Sequence, residues 1–266
     1  NLFYIFNLLP NGFILVSADD RVLPILGYGF ENNFIYSEDI PTNIKYLIDL
    51  FKEEIKASIT NDVVPSTYIR DEWIKYTSET IELSNLRSMA PLLTARFDQG
   101  ATWNTLCPND QAGPNGHALV GCVAVSMGQV MHYWEYPQYG NDDHGYNSPY
   151  GYLYADFGNT FYDYNEMETN IGTPESQLLL LHAGIAVNMN YGANGSGAWV
   201  MGPQSPSTYH AMTNYFNFKS TITGIYPENY SEAVYRQKLI DDLDLHRPII
   251  YRGCSNDGCH AWNIDG

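Results

Sequence analysis

Cys122 and His260 are the two residues of this chain best placed to do nucleophilic chemistry. Cys122 opens the stretch GCVAVSMGQVMHYWEYP, and His260 follows Gly258 and Cys259 at the head of the run HAWNID. A cysteine at a helix N-terminus meets unpaired N–H groups and the positive end of the helix dipole, and both favour thiolate over thiol. An imidazole in reach would take the thiol proton, and the thiolate would attack a carbonyl carbon. The imidazolium would then protonate the leaving amine. The developing oxyanion needs donors. The backbone N–H of Cys122 is one, and the side-chain amide of Gln99, in the upstream loop PLLTARFDQGATWNTLCP, is another.

Each of these residues alone has a plainer reading: a buried structural cysteine, a satisfied strand histidine, a loop glutamine. Gly195-Ser196-Gly197 alone is a turn. His117, shortly before Cys122, competes as the base but sits in a local loop with no fixed geometry. Cys107, Cys254, Cys259 and His260 form a weak zinc set, because the spacing within one Gly-rich loop is poor for metal ligation; no metal is expected. The separation of Cys122 and His260 argues otherwise. It falls in the range of roughly 130–150 residues by which papain-type enzymes separate nucleophile from base. There the cysteine rides a helix in one half and the base a sheet in the other, with substrate between. The sequence has no phosphate-binding glycine loop, nucleophile-elbow serine or HExxH.

The elements that must position these residues can be read from periodicity. Val123, Met127, Val130, Met131 and Trp134 recur at helical spacing behind Cys122, so the stretch reads as a helix with one buried stripe. Gly128 costs about 1 kcal/mol relative to alanine there, which points to a close neighbour. IIYRG and HAWNID read as two adjacent strands, the second carrying His260. Helices are expected from Pro174 to Met189 (Leu178, Leu181, Ile185 and Met189 inward), from Ser205-Pro206 (Tyr209, Met212 and Phe216 inward) and from Ser231 to Pro248 (Val234, Leu239, Ile240 and Leu243 inward). Gly192, Gly195 and Gly197 can take conformations that other residues avoid. Residues 138–165 read as a loop or irregular hairpin. Upstream, LFYIFN and FILVS flank LPNG, a hairpin signal, and VLPILGY follows. A helix is expected from Pro41, with Ile44, Leu47, Ile48, Phe51 and Ile55 on its apolar face. Residues 60–90 lose that periodicity and read as a polar connector. The whole is α+β: a small unit, a connector, then a larger one.

Composition bounds the function. The 44% apolar content supports a sizeable core, and a formal net charge of −17 argues against nucleic acid or an anionic membrane as partner. No segment is long and apolar enough to cross a bilayer. The chain opens at Asn1 with no charged and apolar leader, so any targeting peptide is expected to have been removed or to lie outside it. The 4 cysteines are too few for a disulfide framework at this length and fit an enzyme with a free thiol.

At this point the residues carry a resemblance. GCVAVSMGQVMHYWEYP resembles the nucleophile helix of the streptopain family of secreted bacterial cysteine peptidases. PLLTARFDQGATWN resembles the start of the mature enzyme, MNYGANGSGA the substrate-cleft loop, RPIIYRGCSNDGCHAWNIDG the histidine strand, and FYIFNLLPNGFILVSADDRVLPILGYG the pro-segment. The resemblance implies a papain-like catalytic domain over residues 89–266, preceded by an inhibitory α+β prodomain over 1–88 that blocks the cleft or displaces His260. It implies catalytic Cys122 and His260, an oxyanion hole of Gln99 and Cys122, and a backbone-binding loop at Gly195, Ser196, Gly197 and Ala198. No cofactor is implied; the partners are protein or peptide substrates and the chain's own prodomain, in a secreted or cell-envelope setting. Lys75 and Arg87 are candidate cleavage points in the connector. Two features depart from the pattern. Cys259 stands where glycine is usual and puts a second thiol beside the base. The sequence also stops at Gly266, where family members continue into an Asn-Trp segment that supports the histidine, so the third catalytic partner is unassigned and the catalytic domain is expected to be incomplete.

The expected function is a cysteine endopeptidase zymogen working through a Cys-His dyad and an acyl-enzyme. A catalytically silent relative that binds or inhibits is the alternative, against which the joint presence of Cys122, His260 and Gln99 counts. An acyltransferase would use the same dyad, and would be told apart by competition of an added amine with water.

Overall fold

The computed structural model describes residues 1–37, 40, 42–78, 89–202, 205–255 and 258–266. The chain divides into two compact units, Asn1–Arg87 and Ser88–Gly266.

In the first unit β1 (Phe3–Asn7), β2 (Phe13–Ser17) and β3 (Ile25–Gly29) form an antiparallel sheet in that order. The Asn-Gly hairpin is present. Phe3 pairs with Ser17, Asn7 pairs with Phe13, and the Leu8 N–H closes the turn on the Gly12 carbonyl at 2.8 Å. Helix α1 (Thr42–Thr60) follows; Pro41, its expected first residue, lies outside the described residues. Ile48 and Ile55, two turns apart, are fully buried, and Leu15 and Val22 are buried with them in this unit's apolar interior. Leu47, expected on the same face, is exposed.

The connector expected over residues 60–90 is only partly irregular. A second helix, α2 (Thr67–Thr77), is capped by Ser66, whose side chain accepts the Ile69 N–H. The helix buries no residue, so no apolar stripe announces it. Its Trp73 indole N–H donates to the Val22 carbonyl at 2.8 Å, tying it to the β2–β3 connection. Lys75 lies in the last turn of this helix and pairs with Glu72. Arg87 lies outside the described residues.

The second unit runs α3 (Cys122–Trp134), β4 (Asp143–Ser148), β5 (Gly151–Asp156), α4 (Pro174–Ala186), α5 (Thr208–Asn214), α6 (Glu232–Asp244), β6 (Ile249–Ser255) and β7 (Gly258–Ile264). Its core lies between α3 and α4. Val123, Met127, Val130 and Met131 are buried as the periodicity predicts, while Trp134 is largely exposed. Gly128 does have a close neighbour: a Cβ built there would stand 2.7 Å from the Leu180 side chain of α4. Residues 138–165 contain a regular hairpin, β4 against β5, with Asp143 opposite Asp156 and Ser148 opposite Gly151.

Three expected helices shift in detail. α4 begins at Pro174 behind a Thr173–Ser176 capping box but ends at Ala186, so Met189 lies beyond it. It buries Leu179 and Leu180 completely and Leu178 and Leu181 only in part, because a helix apolar on every side gives periodicity no single face to pick. α5 starts at Thr208, with Ser207 as its cap, not at Ser205-Pro206. α6 starts behind Ser231 as expected but buries no residue, and Val234 is exposed; the helix packs against β6. The last two strands pair antiparallel, Ile249 opposite Ile264 and Ser255 opposite Gly258.

Candidate active site

The chain reaches Cys122 through Gly121, whose φ of 92° lies in the region that favours glycine. Space demands glycine there too, since a Cβ would meet the Met189 sulfur at 2.6 Å and the Ser196 Cβ at 3.2 Å. Cys122 is the first residue of α3, half-buried and free. Among the described residues its N–H has no hydrogen-bond partner, as the first N–H groups of a helix require.

β7 brings the histidine strand to this thiol. Successive strand residues alternate faces, so Ala261 and Asn263 turn toward α3 while His260 and Trp262 lie on the other side. The Ala261 N–H donates to the Cys122 sulfur at 3.4 Å. Asn263 Nδ2 donates to the Ser126 carbonyl at 3.2 Å and to Gln129 Oε1 at 2.9 Å, and Gln129 Nε2 continues to the Ala95 carbonyl at 2.9 Å. This chain of amides pins β7 along α3. The His260 ring stacks on Trp262 at 6.1 Å and 24°. Trp262 lies over Gly253, where a Cβ would come within 2.6 Å of the indole. Burial holds the His260 imidazole below its ordinary value, favouring the neutral form. Among the described residues no hydrogen bond joins the Cys122 sulfur to the His260 ring.

Gln99 is brought beside the helix start: its carbonyl accepts the Val120 N–H at 2.9 Å. Its own N–H donates to the Asp98 carboxylate at 2.5 Å. The Gly195–Ala198 loop flanks the same segment. Asn190 and Gly197 exchange backbone hydrogen bonds of 2.9 and 3.2 Å, and the Leu119 N–H donates to the Gly192 carbonyl at 3.0 Å. Ser196 is buried, and its hydroxyl donates to the Leu119 carbonyl at 2.6 Å. Gly192, Gly195 and Gly197 do not use the conformational freedom open to glycine; none has a positive φ. Gly195 and Gly197 face open space, while Gly192 allows the close approach of the Gly195 carbonyl, 2.7 Å from where a Cβ would stand.

The remaining cysteines separate cleanly. Cys254 and Cys259, opposite one another on β6 and β7, form a disulfide, so Cys259 is not the second free thiol expected beside His260 and neither is a zinc ligand. Cys107 is free but buried, and burial pushes its thiol up to about 12. His117 is occupied by the Cys107 carbonyl, 2.8 Å from its Nδ1, which gives it a structural place. Among the described residues no group of three or more His, Cys, Asp or Glu side chains could hold a metal. Sequence reasoning missed Ala261, Asn263 and the role of the Ser196 hydroxyl. Strand alternation from His260 would have found the first two; nothing local announces the third.

Comparison with known proteins accords with this geometry. A family model described as peptidase C10 matches residues 97–266, and one described as Spi protease inhibitor matches residues 1–55. Streptopain of Streptococcus pyogenes is 27% identical over 285 residues, covering 99% of this chain and 67% of that protein. The thiol protease/hemagglutinin PrtT of Porphyromonas gingivalis is 27% identical, with 100% of this chain matching 31% of it. Among solved structures, a prointerpain A fragment of Prevotella intermedia matches with a TM-score of 0.75 and 28% identity, over 99% of this chain and 81% of that one. Active interpain A of the same organism matches with a TM-score of 0.57 and 30% identity, over 66% of this chain and 76% of that one. The chain therefore belongs to the peptidase C10 family, the streptopain-type cysteine peptidases, and has their papain-like α+β fold.

Proposed function

We propose that this chain is the latent form of a secreted bacterial cysteine endopeptidase, with Cys122 as nucleophile and His260 as general base. The observation that carries the reading is the meeting of α3 and β7: a half-buried free thiol at an uncapped helix N-terminus touches the strand that bears the histidine. His260 takes the thiol proton, and the thiolate attacks the scissile carbonyl. The Cys122 N–H and the Gln99 amide receive the oxyanion. The imidazolium gives its proton to the leaving amine, and water, activated by the same imidazole, hydrolyses the acyl-enzyme. The Gly195–Ala198 backbone holds the substrate chain.

Latency follows from the same contact. The thiol here meets the Ala261 N–H and not the imidazole, so His260 must turn toward sulfur before the pair forms. Residues 1–88 act as the inhibitory prodomain, a role supported by the inhibitor-type match over residues 1–55 and by the likeness to a proenzyme structure. Residues 89–266 belong to the catalytic domain. Alkylation tests the assignment of the nucleophile. Iodoacetamide at mildly acidic pH, applied once the prodomain is removed, is expected to modify Cys122 first and to abolish peptide hydrolysis in step, with Cys107 untouched. Equal labelling of both thiols, or activity that survives full modification of Cys122, would contradict it.

A further inference from the structure

The segment Leu119–Val120–Gly121 leads directly into Cys122 and is held from two sides. On one side the Val120 N–H donates to the Gln99 carbonyl at 2.9 Å. On the other stands Ser196, buried, its hydroxyl donating to the Leu119 carbonyl at 2.6 Å and accepting the Gly192 N–H at 3.0 Å, with the Gly192 carbonyl at 3.4 Å. The Leu119 N–H donates in turn to the Gly192 carbonyl at 3.0 Å. The Ser196 Cβ also closes the space over Gly121, 3.2 Å from where that residue's Cβ would be. The two groups that would receive the oxyanion, the Cys122 N–H and Gln99, thus sit at the end of this segment and along its edge.

We propose that the Ser196 hydroxyl is a positioning group that sets the Cys122 N–H against Gln99, and that its side chain is not a substrate contact. The proposal rests on the reading of Cys122 as nucleophile and deepens it. Without the hydroxyl, the Leu119 carbonyl loses its bond to the loop and the segment is held from the Gln99 side and by one backbone bond. Displacements of a fraction of an ångström at an oxyanion site are expensive, and about 1 Å can cost a hundredfold in rate. The defect belongs to the tetrahedral stage, so it falls on kcat and not on ground-state binding.

The test uses enzyme matured from the complete precursor, as parent, Cys122→Ala, Ser196→Ala and Ser196→Thr, with the unfolding temperature of each measured alongside. In Ser196→Ala, kcat is expected to fall about tenfold to a hundredfold, with KM within about threefold. A peptide aldehyde, whose hemithioacetal carries the oxyanion, should weaken in proportion to kcat/KM. Iodoacetamide, whose reaction with the thiol forms none, should alkylate at an unchanged rate. Ser196→Thr, which keeps the hydroxyl, should recover more of kcat than Ser196→Ala. Unchanged kcat in Ser196→Ala would overturn the proposal. So would an equal fall of kcat, aldehyde affinity and alkylation rate, which marks a structural role only. Hydrolysis by Cys122→Ala equal to the parent would instead overturn the nucleophile assignment, and this proposal with it.

Discussion

Gly121→Ala is the perturbation whose consequence the structure defines most sharply. The residue is the cap of α3, with φ 92° and ψ 133°. A side chain in that region costs about 1–3 kcal/mol of backbone strain. The added methyl would stand 2.6 Å from the Met189 sulfur and 2.7 Å from its Cε, and Met189 is fully buried. Crowding of this kind in a packed core costs about 1–3 kcal/mol more. The stiffer unfolded chain returns only about 0.4–1 kcal/mol. The expected net loss is therefore about 1–6 kcal/mol, a large part of the stability of a domain. Urea unfolding followed by tryptophan fluorescence, with Trp103 buried in the same unit, measures it directly. Gly195→Ala and Gly197→Ala are internal controls. Nothing lies within 4 Å of either built Cβ, and neither has a positive φ. Each should stay within about 0.5 kcal/mol of the parent. A Gly121→Ala protein within about 0.5 kcal/mol of the parent, and so indistinguishable from the two controls, would refute the reasoning that conformation and space together fix glycine ahead of Cys122.

Two further predictions concern the second unit. Burial lowers the His182 imidazole from 6.5 to about 4, and the Tyr162 hydroxyl lies 2.9 Å from its Nδ1. The folded state thus binds this proton less readily than the unfolded state. Stability is complete above pH 6.5 and falls as pH drops toward 4, by on the order of 3 kcal/mol; His182→Gln should flatten that part of the urea-midpoint-against-pH curve, and an unchanged slope would contradict the assignment. The Cys254–Cys259 disulfide closes a loop with a sequence separation of only 5. Replacing both cysteines by serine should cost no more than about 2 kcal/mol in the same unfolding assay, and global unfolding would show that the bridge does more than hold the tip of the β6–β7 hairpin.

Much of this architecture is legible in the sequence where local signals act alone. The Asn-Gly turn announces β1 and β2, Pro174 announces α4, and the apolar stripe behind Cys122 announces α3. The misses share a physical cause. α2 buries nothing and α4 is apolar on every side, so for opposite reasons neither offers a one-sided pattern. The inward face assigned to α6 needed a partner surface that no local pattern reveals. At the site, residue type and separation pointed to Cys122, Gln99 and His260, and the fold brings the Gln99 backbone and the strand that carries His260 to one helix start. The Cys254–Cys259 pairing needed the strand register, and the Ser196 bond to Leu119 spans 77 residues. Both are facts of tertiary approach, written in no single stretch of the chain.

The central claim is that Cys122 carries the chemistry and residues 1–88 hold it latent. The most direct measurement follows the complete precursor and its Cys122→Ala counterpart side by side by mass spectrometry during activation. The parent is expected to lose a segment ending near residue 88 while the Cys122→Ala protein stays intact. Loss of that segment from both proteins at the same rate, or from neither while the parent already hydrolyses peptides, would contradict the account.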